Sequence, residues 1–312
     1  MRRVDAIHLG LMCAAAGLTY LVPFELLLLA YVVLGPAHYL TEISWLHDRK
    51  YFLPHPSIAV VLAVVGVGVA FIESGYWFGV VVWATLVACA LFAATTTAMQ
   101  SMLVLAAAAV TTIILASGNS YFVVLGTLIP TLVHVSLFTL VFMMLGALRA
   151  GSKAQGLLIA VYLAVIALIL LAPPSEATVV PTFAGVAREY FGGVAPALGR
   201  VFGVADLKLD GRLTGLLAFV YTYHYLNWFI KAEVIRWADM PKPRLAAVAA
   251  ASAASTALYF YDYAVGFMVL LALSLLHVVL EFPLNSLSLR QLGAMSGQAV
   301  IAGIQRRAGA RR

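Results

Sequence analysis

Four of the seven histidines lie inside long apolar runs of the sequence, where an ionisable side chain is energetically costly. Each stands in a different run, and the four are His38, His134, His224 and His277. Neutral imidazole is a common ligand of zinc, copper and iron. A cation held by all four rings would account for their presence in hydrocarbon. We therefore predict that these side chains converge on one intramembrane metal or haem site.

Two of these histidines are followed by a glutamate four residues later, in "HYLTE" and "HVVLE". On a helix, residues four apart share one face, so Glu42 and Glu281 should lie beside His38 and His277. Each carboxylate could accept the ring N–H of a ligating histidine on its own helix or across the site. It could also bind metal directly, giving a di-metal set of four histidines and two glutamates, or simply reach water at the helix end. The sequence leaves these alternatives open.

His224 stands in the segment "FVYTYHYLNWFIKAEVIRW", which is rich in tyrosine. Tyr221 and Asn227, three residues before and three after His224, are the candidate catalytic residues. They would face broadly the same way as the histidine and could orient ligands, oxygen or substrate. Ordinary hydrogen bonding between helices is the alternative.

The composition is that of a polytopic, all-α membrane protein. Of 312 residues, 63% are hydrophobic and 10% are charged, against about 25% charged in a typical soluble domain. The chain has no Gly-rich phosphate loop and no evident soluble domain. The expected partners are membrane lipids and a lipophilic small molecule, not nucleic acid, and the sequence does not indicate an oligomeric state.

Apolar runs long enough to cross the bilayer, which takes roughly 20 residues, number ten in our interpretation. They lie near residues 5–22, 24–46, 57–73, 76–97, 99–117, 121–148, 154–172, 213–236, 244–260 and 262–284. The glycines of "VVGVGVAF" in the third run predict a close contact between helices. We expect a transmembrane domain over residues 1–290, which includes an outer-side amphipathic loop at 173–212. A basic cytoplasmic tail over 291–312 completes the predicted organisation.

The basic residues indicate the orientation of these spans. In the ten-span layout, fifteen of the nineteen lysines and arginines fall on one side, and the other four lie in the loop 173–212. The positive-inside rule then makes both termini cytoplasmic, with the first span an uncleaved helix. We expect a multi-pass protein of a bacterial inner membrane. The four histidine spans all run from outside to inside, with three histidines at matched depth in the cytoplasmic half.

Four histidines with supporting carboxylates suit non-haem iron(II) that keeps positions open for oxygen. The apolar surroundings favour a lipophilic substrate such as a carotenoid, quinone, sterol or acyl chain. No nucleotide or flavin motif is evident, so the metal itself would carry the redox chemistry of an oxygenase.

The segment "GPAHYLTE" resembles the early motif of the Brp/Blh family of membrane β-carotene dioxygenases. There, glycine and proline precede a histidine, and an acidic residue follows four places after it. The resemblance implies a polytopic protein with four essential intramembrane histidines and non-haem iron that cleaves β-carotene to retinal. His38 would be a ligand and Glu42 its acidic companion, whereas the other three histidines are assigned only as the remaining intramembrane ones. The chain departs from the family pattern at Tyr39 and Leu40, where the family has small residues.

Two other functions are consistent with the same histidines. One is a b-type haem or quinone-linked electron-transfer protein, although the matched depths disfavour two haems in different leaflets. The other is a proton-coupled transporter with the histidines as a relay, although no inverted repeat is evident.

Overall fold

The computed structural model describes residues 3–50, 56–72, 75–92, 106, 129–175 and 210–309. These residues are helical with short connections, and no strand occurs among them, so the all-α prediction is confirmed. The helices are α1 (Arg3–Leu21), α2 (Pro23–Arg49), α3 (Pro56–Val69), α4 (Gly75–Phe92), α5 (residues 129–150), α6 (Lys153–Leu171), α7 (Gly211–Ile230), α8 (Ala232–Ile235), α9 (Lys242–Tyr261) and α10 (Tyr263–Gly309). A short 3₁₀ turn, Trp237–Asp239, precedes α9.

Among the described residues, five helices are long and apolar enough to cross a membrane, whereas ten spans are not confirmed. The five segments are Arg3–Leu21, Pro23–Arg49, Leu132–Ala150, Lys153–Leu171 and Tyr263–Ser296. Two further apolar helical stretches are shorter, Ile58–Val69 and Tyr76–Cys89. The predicted span at 99–117 lies outside the described residues except for residue 106, and residues 176–209 of the predicted outer-side loop lie outside them too. α10 continues through residue 290, so the expected boundary between domain and tail falls within a helix.

Three of the four helices that carry the histidines are irregular close to them. In α2 a π-helical turn, Ala30–Leu34, immediately precedes Pro36. Pro36 has no N–H for the carbonyl of Val32, and the Thr256 hydroxyl of α9 donates to that oxygen instead, at 2.8 Å. In α5 the whole stretch Ile129–Phe138 is π-helical, and Pro283 lies inside α10. Such irregularities change the direction in which the following side chains point, and they are frequent at functional sites.

Two packing units meet at α2 and α5. α7 packs against α1 and α6, and α10 packs against α3, α4 and α9. Both α2 and α5 contact both α7 and α10. The four histidine helices therefore surround a common axis, with α2 and α5 alternating with α7 and α10.

α9 is tied to α2 at a second point, near the end of α2. Arg244 donates to both carboxylate oxygens of Asp48 at 2.7 Å and to the Ser44 hydroxyl at 3.2 Å. Together with the Thr256 hydrogen bond, this contact fixes α9 antiparallel along α2.

Gly66 allows α3 to approach α10 closely. A Cβ at this position would lie 2.8 Å from the Cα of Leu276, the residue directly before His277. By contrast, a Cβ at Gly68 would meet nothing within 4 Å. The close contact predicted for this Gly-rich run is therefore confirmed at Gly66.

Gly66→Ala is expected to destabilise the fold by about 1–3 kcal/mol, because its methyl group meets backbone that cannot move aside cheaply. Gly68→Ala is the matched control and should be neutral or stabilising by up to about 1 kcal/mol, since alanine favours helix. Thermal unfolding of the two purified variants in detergent measures the difference. Equal melting temperatures would contradict the close approach of α3 to α10.

Candidate metal centre

The structure brings the four histidines of the apolar runs together in one buried cluster. His38, His134 and His277 are each 1% exposed, and His224 is 7% exposed. The rings of His38 and His134 each contact those of His224 and His277, with centroid separations of 4.8–5.3 Å. Each helix contributes one imidazole, and the four rings surround the axis between the helices.

The Nε2 atoms form two close pairs, and each pair is at the spacing expected of two ligands to one ion. His38 Nε2 lies 3.1 Å from His224 Nε2, and His134 Nε2 lies 3.1 Å from His277 Nε2. Two nitrogens bonded to a metal at about 2.1 Å, and separated by an angle of about 90–110°, lie about 3.0–3.4 Å apart. The same distance also suits a hydrogen bond between two neutral imidazoles of opposite tautomer. One ligand atom each from His38, His224 and His277 lies within 4.8 Å of the others.

Glu42 lies on the side of His38 that faces His224. Its Oε2 is 3.0 Å from His38 Nε2, and this nitrogen is the one that faces His224. The carboxylate is 2% exposed, so it does not extend to water at the end of α2. A carboxylate at this nitrogen can bind a metal directly or support His38, whereas the ligand atoms that lie within 4.8 Å of one another in the described residues are those of His38, His224 and His277.

Glu281 occupies a different position, on the outer side of another histidine. Its Oε2 is 3.2 Å from Nδ1 of His134, whose Nε2 faces His277. Although Glu281 follows His277 by four residues, its carboxylate lies beside the histidine of a neighbouring helix, within ion-pair distance but without hydrogen-bond geometry, which is one of the placements that the sequence left open. A carboxylate at Nδ1 fixes the ring orientation and makes Nε2 a better donor to a metal.

The two carboxyl groups also interact with each other in the interior. Two carboxylates in contact away from water repel each other unless a proton or a cation neutralises the pair. Together with four imidazoles, they form a set of six donors in one buried site. The set is therefore large enough for one ion or for two.

Thr139 is a supporting residue that the sequence did not reveal. Its hydroxyl lies 2.8 Å from Nδ1 of His224, and it is 1% exposed. Thr139 belongs to α5 and His224 to α7, so no spacing along the chain predicts the contact. The Thr139 hydroxyl lies at Nδ1 of His224, as Glu281 lies at Nδ1 of His134. The Nε2 atom of His224 is therefore left facing the centre of the histidine cluster.

Aromatic side chains enclose the cluster. Tyr39 stacks on His277 with centroids 4.2 Å apart, and its hydroxyl lies 2.6 Å from that of Tyr225. A Cβ at Gly35 would lie 2.9 Å from the Tyr39 hydroxyl oxygen, so glycine leaves room for this ring. Trp228 packs edge-on to His38, with centroids 5.4 Å apart. These rings cover part of His277 and part of His38.

The two candidate catalytic residues lie in different surroundings. Asn227 is 7% exposed and lines a cavity together with His224, and its Oδ1 has no hydrogen-bond partner in the described part of the chain. Tyr221 packs among apolar residues next to Tyr225, and it does not belong to the cavity lining. Positions three before and three after a helical residue lie on opposite flanks, about 120° apart. The structure therefore brings only Asn227 to the cavity.

A cavity of about 410 Å³ reaches the cluster from one side. It is lined by His38, His224, Glu42 and Glu281, whereas His134 and His277 do not contribute to its lining. This volume is within the range of small-molecule sites in proteins. The cluster thus has a side that is closed by protein and a side that a small molecule can approach.

Comparisons of the chain with protein-family models, curated proteins and solved structures found no match. The functional argument therefore depends on the residues and their geometry.

Thr139→Val is expected to weaken metal binding about 10–100-fold, because the substitution removes the partner of His224 Nδ1 and keeps the side-chain shape. Thr19→Val is the control, since the buried Thr19 hydroxyl bonds only to the Ala15 carbonyl of its own helix. Competition with a chelator gives the affinity of each purified variant. Unchanged affinity in Thr139→Val would show that His224 needs no such partner.

Glu42→Gln is expected to reduce metal affinity more than Glu281→Gln does. The first substitution removes a group at the position of a ligand, whereas the second removes a support worth about 10–100-fold in affinity. Both replacements keep the side-chain volume, so each variant is the matched control of the other. The same chelator competition measures both, and a larger loss in Glu281→Gln would reverse the two roles.

Proposed function

We propose that this chain is a multi-span membrane metalloenzyme, a non-haem iron oxygenase acting on a lipophilic substrate. The observation that carries the proposal is the convergence of four buried imidazoles, from four helices, with paired Nε2 atoms 3.1 Å apart. Imidazole and carboxylate are the ligand types of non-haem iron(II) oxygenases. His38, His134, His224 and His277 would hold the metal, with Glu42 as a further ligand.

In this proposal the chain crosses the membrane ten times, and both termini lie in the cytoplasm. The five long apolar helices support it in part, and the distribution of lysine and arginine supports the orientation. A bacterial inner membrane is the proposed location.

Iron bound here would supply activation of molecular oxygen. The residues of the chain would do the rest: Thr139 and Glu281 orient two of the rings, and Tyr39 and Trp228 keep water away from them. Asn227, with an unsatisfied amide oxygen at the cavity wall, is placed to hold a substrate or water by hydrogen bonding.

The substrate class follows from the cavity and from the resemblance of residues 35–42. Phe142, Met143, Leu158 and Trp228 are among the lining residues, so apolar contacts dominate the middle of the cavity. The likeness of "GPAHYLTE" to the Brp/Blh motif makes carotenoid cleavage the leading reaction within the oxygenase class.

The spacing of the Nε2 atoms favours bare ions over haem b. The two axial nitrogens of a haem lie on opposite faces of the porphyrin, about 4 Å apart, which is twice a metal–nitrogen bond of about 2 Å. Nitrogens 3.1 Å apart leave no room for a porphyrin between them. A di-metal centre, by contrast, suits the contact between Glu42 and Glu281, because a carboxylate pair can bind two cations.

A proton-coupled transporter is the second candidate, because the polar contacts form a continuous path. They run from His277 to His134 and Glu281, then through Glu42 to His38 and His224. A chain of titratable groups inside a membrane protein can pass a proton. A metal measurement separates this function from the first.

Purified protein is expected to contain a stoichiometric transition metal, predominantly iron, and to show no Soret band. His38→Ala and His277→Ala should lose that metal, because each removes an imidazole from the centre. His47→Ala is the control and should retain it, since the His47 side chain is 73% exposed. Elemental analysis and an absorbance spectrum of the same samples give both results.

Each contrary outcome favours a named alternative. A Soret band that disappears in His38→Ala would assign haem to the site. Absence of metal, together with proton-driven uptake that is lost in the same variants, would assign the relay.

A further inference from the structure

The cavity beside the histidines changes in polarity along its length. At one end it is lined by His38, His224, Glu42 and Glu281. At the other end its lining contains a second polar group that the proposed chemistry does not use. This group, which we call the distal polar group, consists of Arg149, Gln155, Lys231 and Gln291.

Helix geometry gives the distance between the two ends. The lining residues of α10 include Glu281, Leu284, Leu287 and Gln291, a spacing of three and four residues that places them on one helix face. The ten residues from Glu281 to Gln291 rise about 15 Å. On α5, the ten residues from Thr139 to Arg149 rise the same distance.

Arg149 of α5 and Gln291 of α10 therefore lie at the same level, at the end of the cavity away from the histidines. The Arg149 guanidinium donates to the Gln291 side-chain oxygen at 2.5 Å, which joins α5 to α10 there. Lys231 of the α7–α8 connection follows His224 by seven residues, a rise of about 10 Å, and also lines the cavity.

Apolar side chains form most of the wall between the two ends, although His8, Tyr223, Asn227 and Ser288 also line the cavity. The apolar residues include Phe142, Met143, Leu145, Leu158, Trp228, Leu284 and Leu287. A length of about 15 Å is half of the hydrocarbon core of a bilayer, which is about 30 Å thick. The cavity thus has the length of an acyl chain in one leaflet.

The distal polar group carries two cations. The Lys231 side chain forms no hydrogen bond or ion pair with any residue of the described ranges, and the Arg149 guanidinium is bonded to the neutral amide of Gln291. Asp5 is the carboxylate that also lines this end, so positive charge exceeds negative charge there. An arginine and a lysine beside two amides form a suitable site for a carboxylate or a phosphate.

We propose that the ligand of this cavity is an anionic amphiphile, either a long-chain carboxylate or an alkyl phosphate. Its head group binds Lys231 and Arg149, and its alkyl chain extends along the apolar wall to His38 and His224. This assignment rests on the proposed function for the chemistry at the histidine end. Within the lipophilic substrates it favours an anionic amphiphile over a hydrocarbon carotenoid such as β-carotene. A pure hydrocarbon would leave the two cations without an anionic partner.

Dodecanoate, dodecyl phosphate and dodecanol are the probes, with binding measured by calorimetry on the purified full-length chain in a non-ionic detergent. Wild type should bind either anion at least tenfold more tightly than dodecanol, since a charge-assisted hydrogen bond is lost with the alcohol. The stronger of the two anions identifies the head group.

Lys231→Met and Arg149→Gln should each weaken binding of the preferred anion about tenfold and leave dodecanol binding unchanged. Lys231→Arg should retain the preference, because it keeps the charge. Lys242→Met is the matched control and should bind like wild type, since Lys242 is exposed at the start of α9 and does not line the cavity.

Equal binding of anion and alcohol, or equal anion binding by wild type and Lys231→Met, would overturn the inference. Metal content is measured on the same samples, and none of these substitutions touches a proposed ligand. Metal with no preference for the anion would therefore refute the anionic amphiphile alone. Anion preference without metal would refute the proposed oxygenase.

Discussion

The burial of six ionisable side chains in an apolar interior is the constraint on which the rest of this structure depends. Four imidazoles and two carboxylates are removed from water, and each needs a partner there because desolvation penalises any charge left alone. The protein meets this requirement by surrounding one axis with the four helices that carry them. Thr139 and the aromatic rings then occupy the remaining sides of the imidazoles.

Regular helices alone do not produce this arrangement. His38 follows a π-helical turn and Pro36, His134 lies within a π-helical segment, and Pro283 follows Glu281 in α10. A π-helical turn adds a residue to the helical repeat and rotates every side chain after it. The irregular backbone therefore helps to orient the imidazoles toward each other. Glycine at positions 35 and 66 leaves room for the close contacts with Tyr39 and with α10.

The sequence predicted what depends on local spacing. The all-helical class followed from composition, and the pairing of His38 with Glu42 followed from the four-residue repeat of one helix. The partners of His134 and His224 were not predictable, because they depend on the axial offset and rotation of separate helices. The number of spans was not predictable either. A short apolar helix such as α3 is stabilised by packing against α10, so an apolar run in the sequence does not by itself mark a full membrane span.

The helix α9 contributes no side chain to the histidine cluster or to the cavity lining. It is nevertheless attached at two points to α2, which carries His38 and Glu42. Its Thr256 hydroxyl bonds to the carbonyl that Pro36 leaves free, and its Arg244 binds Asp48 at the end of α2. These two attachments are about 18 Å apart along α9. They prevent α2 from sliding or turning about its own axis. The positions of His38 and Glu42 thus depend partly on a peripheral, alanine-rich helix that holds α2 at two points.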